Sequence, residues 1–247
     1  MMMGITPEIF FYVFLFLVAF LYAAVGHGGA SGYLALMALY HITPTHMKSA
    51  AILLNILVSA IAFIQYYHAG FFKFKLFFPF VITSIPAAFA GGMLSLSDLL
   101  YKKVLAVLLL FPIIRLLGVA PAERKVLVQQ HLGLSLLFGL VIGFISGLIG
   151  IGGGILLSPL ILLLGWANVK ETAAVSALFI LVNSLAGLAG LGLKGLDIAP
   201  DIYLMLSTAL VGGLLGSFVG AKKLEMTALR YLLVVGMLIA CLKLFFT

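Results

Sequence analysis

Apolar residues run along this chain in ten stretches separated by short polar breaks: 6–25, 31–41, 46–69, 74–96 and 99–117, then 127–149, 155–165, 169–191, 201–221 and 227–246. A hydrocarbon core about 30 Å thick takes roughly 20 apolar residues as helix, so most of these stretches predict spanning helices. The second stretch of each set is too short at about 1.5 Å per residue. It follows the first through a glycine-rich run instead of a charged loop, and is expected to be a re-entrant or half-crossing helix. The expected fold class is an all-α polytopic membrane protein.

Composition strengthens that reading. Hydrophobic residues make up 64% of the chain and charged residues 9%, with a mean hydropathy of +1.31, which leaves too little polar surface for a water-facing globule. The lipid bilayer is the expected solvent. The first run, Ile9 to Val25, has no Lys or Arg before it and no evident small-residue cleavage site, so it is expected to persist as a helix and not to be removed as a signal peptide. A formal net charge of +7 would suggest nucleic acid in a soluble protein. Here the cations stand singly or in pairs at the ends of apolar runs, the pattern of membrane-topology signals, and no nucleic-acid partner is expected. The single cysteine, Cys241, excludes an intramolecular disulfide and a cysteine cluster for metal. No metal and no cofactor are expected.

The chain also repeats itself. Ala24-Val25-Gly26-His27-Gly28-Gly29 recurs as Leu148-Ile149-Gly150-Ile151-Gly152-Gly153, with Gly26 and Gly150 offset by 124 residues, and Lys48-Ser49-Ala50-Ala51 lines up with Glu171-Thr172-Ala173-Ala174. The join falls in the charged, breaker-rich run from Gly118 to Lys125, which divides the chain into a first membrane repeat, 1–120, and a second, 121–247. If each first pair is a hairpin returning to its starting side, three full spans follow per half. The odd count then inverts the second half relative to the first. Lys73, Lys75, Arg115, Arg124, Lys125, Lys170, Lys222, Lys223 and Arg230 would share one side, and Lys48, Lys102, Lys103, Lys194 and Lys243 the other. Nine against five assigns the first side to the cytoplasm and both termini to the outside. The expected architecture is two inverted-topology repeats, each a glycine-broken helical hairpin plus three spanning helices.

A non-helical turn inside lipid exposes backbone polar groups at a cost of several kcal/mol each unless protein or water surrounds them. The helix after such a turn presents free N–H groups and the positive end of its dipole, so Gly28 to Ser31 and Gly152 to Ile155 can bind an anion without a formal cation. The candidate binding residues are Gly26, His27, Gly28, Gly29 and Ser31 in the first turn, Gly150, Gly152, Gly153 and Gly154 in the second, and Asn55 and Asn183, the strongest polar intrusions into the third stretches. The plainer alternatives stay open at this level. The glycines could serve only close helix packing, and the two amides could simply tie helices together. His27 could meet an oxyanion or exchange a proton, or stand at an aqueous interface. Ser49, Ser59, Thr172 and Ser176 are further small polar candidates, whose hydroxyls can instead return to the preceding turn. No carboxylate falls clearly at mid-membrane, which argues against a cation substrate.

The doubled turn, Gly26-His27-Gly28-Gly29 and Gly150-Ile151-Gly152-Gly153-Gly154, with Ser49-Ala50-Ala51 and Thr172-Ala173-Ala174 after it, resembles the TauE/SafE sulfite exporter family. The likeness runs from about Phe10 to Phe246 and is strongest from Phe138 to Pro159. It implies a secondary transporter of the bacterial inner (plasma) membrane that exports a small sulfur-containing anion such as sulfite, sulfoacetate or thiosulfate, with no enzymatic activity. The first half departs from the pattern with His27 where the second has Ile151, and Ala30-Ser31-Gly32 where the second has Gly154-Ile155-Leu156. Two other classes stand beside this one. Gly29-Ala30-Ser31-Gly32 matches the Gly-x-Ser-Gly of rhomboid intramembrane proteases, for which His68 would be the nearest partner, but the duplication has no place in that scheme. A non-transporting assembly subunit would bury its glycine turns against side chains. Nothing in the sequence excludes a homo-oligomer.

Overall fold

The computed structural model describes residues 7–24, 27–117, 128–193, 195, 198, 200–220 and 227–246. These form ten α-helices and no strand: α1 (Pro7–Ala24), α2 (Ala30–Leu39), α3 (Pro44–His68), α4 (Phe74–Met93), α5 (Asp98–Leu116), α6 (Leu132–Ile149), α7 (Gly154–Leu164), α8 (Val169–Gly192), α9 (Ile202–Gly220) and α10 (Thr227–Phe246). Each apolar stretch became one helix, because in lipid only an internally hydrogen-bonded backbone escapes the cost of unpaired N–H and C=O groups. Five helices, α3, α4, α6, α8 and α9, are long and apolar enough to cross a membrane. The division at 120/121 falls outside the described residues.

Helix ends follow local chemistry. Asn168 and Glu171 form a reciprocal capping box that starts α8, satisfying two of the N–H groups a helix start leaves open. Pro44 sits in the first turn of α3, where its missing N–H costs nothing. α2 stops where His41 turns left-handed, with φ 59°, and the Ile42 N–H reaches back to the Met37 carbonyl at 3.1 Å.

The first two helices of each half are hairpins. Along α1 and α2 the Phe11 and Tyr40 rings meet at 5.1 Å in T-shaped geometry, Gly32 lies against Val18, and Tyr22 meets Ser31 at 2.8 Å. Rising numbers on α1 pair with falling numbers on α2, so the chain turns back on itself. In the second half Gly153 lies against Ile142, and the Val128 N–H donates to the Gly165 carbonyl at 2.7 Å. The open end of the first hairpin lies with the end of α10, where Lys243 Nζ donates to the Leu39 carbonyl at 2.9 Å. That of the second lies with the start of α4, where Gln130 Nε2 donates to the Leu76 carbonyl at 3.1 Å. α3 runs from the first of these ends to the second. We call them the His41 end and the Lys73 end.

α3 and α8 pack on each other near the centre. α4 packs on α6 and α8, α1 on α9, and α3 on α9, while α5 pairs with α10. The tightest joints are built by absent side chains. On α6, Gly139, Gly143 and Gly147 recur every four residues, and a β-carbon on each would overlap the carbonyl of Phe80, Ser84 or Ala88 on α4. Gly216 of α9 meets the Phe20 carbonyl of α1 in the same way. Lipid supplies no hydrophobic drive between helices, so close backbone approach is what holds them.

Candidate functional site

The two glycine turns meet at Asn55. This residue stands near the midpoint of the 25-residue α3 and is fully buried. Its Oδ1 accepts the Ala30 N–H at the start of α2, 3.1 Å away. Its Nδ2 donates to the Gly150 carbonyl in the other turn at 3.4 Å. One amide thus satisfies an open helix-start donor of one half and a turn carbonyl of the other, which a neutral side chain with both a donor and an acceptor can do. The fit is close: a β-carbon on Gly28 would stand 2.6 Å from Asn55 Oδ1, and one on Gly152 would stand 2.8 Å from Asn55 Nδ2. Gly29 and Gly153, at φ 90° and 77°, are the caps from which α2 and α7 start.

A second link crosses between the halves. His27 Nε2 lies 2.8 Å from Ser158 Oγ on α7, and Ser158 Oγ lies 2.7 Å from Ser176 Oγ on α8. The Ser158 hydroxyl also donates to the Gly154 carbonyl at 2.8 Å. A hydroxyl has one proton. With that proton on Gly154, Ser158 accepts from both neighbours, and His27 carries hydrogen on Nε2. Tyr22, His27, Gly28, Gly29, Ala30, Ser31, Ile151, Ile155 and Ile180 line a narrow space of about 10 Å³. It is polar on the first-half side and aliphatic on the second. No Asp or Glu lines it.

The sulfite exporter TauE/SafE family model matches residues 11–244. The chain belongs to that family. It is similar to the probable membrane transporter protein y4hK of Sinorhizobium fredii, with 35% identity over 233 residues that cover 93% of this chain and 94% of that one. It is also similar to the probable membrane transporter protein YunE of Bacillus subtilis, with 31% identity over 113 residues, 46% of this chain and 41% of the other. No solved structure matches it significantly. As a TauE/SafE protein the chain is a multi-pass membrane transporter and not an enzyme.

The structure gathers most of the residues that the sequence singled out in this TauE/SafE chain. His27, Gly28, Gly29, Ser31, Asn55, Gly150, Gly152, Gly153 and Gly154 lie at or beside the paired turns. Gly26 lies outside the described residues. Asn183 is buried, but its Nδ2 donates to the Phe179 carbonyl of its own helix at 2.7 Å, and its Oδ1 has no partner among the described residues. Ser31 pairs with Tyr22, while His68 is exposed at the far end of α3, so no serine–histidine pair forms there. Sequence reading missed Ser158 of α7 and the aliphatic Ile180, against which Gly28, Gly152 and Gly154 all rest.

Proposed function

We propose that this transporter carries a small sulfur-containing anion, such as sulfite, sulfoacetate or thiosulfate, outward across the bacterial inner membrane by alternating access between two inverted repeats. The observation that carries the reading is the convergence of both glycine turns on Asn55 at the middle of α3. Helix starts and a neutral amide offer an oxyanion hydrogen bonds and favourable dipoles without the desolvation cost of a buried cation. The family's name and the absence of carboxylates from the lining of this space support an anion of this class. His27 stands on one side of this space only.

Inversion is supported by the hairpins, which open at opposite ends. It is also supported by the packing: exchanging each helix for its counterpart turns the α1–α9 contact into α6–α4 and the α3–α9 contact into α8–α4. On this reading residues 1–120 and 121–247 are the two repeats, the Lys73 end faces the cytoplasm and both termini lie outside. The space at the turns has room for on the order of one water. The substrate therefore enters as the halves move, and the present conformation has the turns packed together. Purified protein in proteoliposomes tests this directly. Saturable flux of sulfite, sulfoacetate or thiosulfate above that of phosphate and chloride is expected, and equal flux of all five would reject the substrate class.

A further inference from the structure

Several helical hydroxyls here rest on their own backbone. Ser59 donates to the Asn55 carbonyl, Ser135 to His131, Ser158 to Gly154, Thr208 to Leu204 and Ser217 to Leu214. That is the ordinary state of a hydroxyl in a lipid-embedded helix. Ser49 and Thr172 depart from it. Both are buried, and neither hydroxyl has a partner among the described residues. They also hold the same place in the matching runs Lys48-Ser49-Ala50-Ala51 and Glu171-Thr172-Ala173-Ala174. The other unpaired hydroxyls, on Tyr33, Ser84, Ser146 and Ser184, have no unpaired hydroxyl at the corresponding position of the other half. A buried polar group left without a partner is costly, and this cost is carried twice at one position.

The two surroundings differ in one respect. Ser49 stands on the wall of a cavity of about 280 Å³ at the His41 end, between α2, α3 and α9, with His46, Leu53 and Asp201 also on its walls. His41 is at the cavity as well, its Nε2 2.9 Å from the Lys243 ammonium. At the Lys73 end, Thr172 is as deeply buried as Ser49, in the first turn of α8. Next to it in sequence Glu171 pairs with Lys73 at 3.4 Å, Lys170 Nζ sits 4.8 Å over the Phe71 ring, and Phe72 packs between Phe63 and Phe77.

We infer that Ser49 and Thr172 are the two vestibule contacts of one substrate path, each donating its hydroxyl to an oxygen of the passing anion when its own end is open. The Lys73–Glu171 pair, with the aromatic cluster beside it, is then the gate that holds the Thr172 end shut in this conformation. The inference rests on the carrier reading above and adds substrate contacts and a gate that the central site does not supply.

Single cysteines test it. In a Cys241→Ala background, Ser49→Cys and Thr172→Cys are labelled with a charged, membrane-impermeant methanethiosulfonate added to one face of sealed vesicles, then to the other. The two are expected to label from opposite faces, Thr172→Cys several-fold more slowly. Adding Glu171→Gln is expected to speed Thr172→Cys labelling several-fold and to slow that of Ser49→Cys. Labelling of both from one face, failure of Thr172→Cys to label at all, or rates indifferent to Glu171→Gln would overturn the inference. These readings need no substrate, so they stand apart from any failure of sulfur-anion flux. Where sulfoacetate flux is measurable, Ser49→Ala and Thr172→Ala are expected to raise its KM and Thr172→Ser to restore it. Wild-type KM in both alanine variants would remove the contact role and leave the carrier reading intact.

Discussion

At the scale of the residue, Asn55 holds more of the site together than any other side chain. Asn55→Ala leaves the Ala30 N–H and the Gly150 carbonyl without their partner, a loss of about 1–3 kcal/mol for each buried group. Both thermal stability in detergent and flux are expected to fall. Asn55→Asp keeps the acceptor for Ala30 but sets a carboxylate against the Gly150 carbonyl and against any bound anion, so flux is expected to fall further than stability. Gly28→Ala places a carbon 2.6 Å from Asn55 Oδ1 and is expected to abolish flux. Gly70→Ala, at φ 78° with open space around it, carries only the backbone strain of roughly 1 kcal/mol and is expected to transport normally. Asn55 was legible in the sequence as a polar intrusion into an apolar stretch. Its difference from Asn183 was not. Asn183 turns back on its own helix, its Nδ2 donating to the carbonyl four residues before it, as the Ser59 hydroxyl does. In the register that aligns Ser49 with Thr172 the counterpart of Asn55 is Leu178, and periodicity does not say which of two equally apolar helix faces meets a turn.

Elements were more readable than side chains, for a physical reason: a spanning segment must be long and apolar, and a hairpin tip must be something other than helix. The stretch 155–165 became α7, Gly154–Leu164, and 169–191 became α8, Val169–Gly192. How elements are glued together was less visible. Close helix packing stood as the other use of glycine, and Gly139, Gly143 and Gly147, four residues apart on α6, serve it by lying on the α4 backbone. One chain therefore uses glycine in both ways, in neighbouring segments of the same helix and turn. Gly143→Leu would force α6 off Ser84, with an overpacking cost of about 1–3 kcal/mol. Its melting temperature is expected to drop, with flux lost in proportion to folded protein. An unchanged melting temperature would show that the α4–α6 joint is not the close contact described. Gly213 of α9, whose β-carbon would meet Val58 only at ordinary distance, is expected to accept alanine without a change in melting temperature.

For the molecule as a whole, the two hairpins reach inward from opposite ends and present different chemistry where they meet. The first brings His27 and Ser31, the second Ile151 and Ile155. On the proposed inverted-repeat reading the duplication sets a common place, and the unequal residues give it one polar and one aliphatic wall, which suits an anion with a charged head and a small apolar part. On that account His27→Leu removes the bond to Ser158 and leaves Tyr22 and Ser31 as the polar groups of the first wall, and sulfoacetate flux is expected to fall at least several-fold while the protein still folds. The measurement that bears most directly on the central claim is sulfoacetate counterflow in proteoliposomes, compared between the wild-type chain and Asn55→Asp at matched amounts of folded protein. Saturable counterflow by the wild type and none by Asn55→Asp is the predicted result. Undiminished counterflow by Asn55→Asp would place the substrate path away from the meeting point of the two turns and contradict the account.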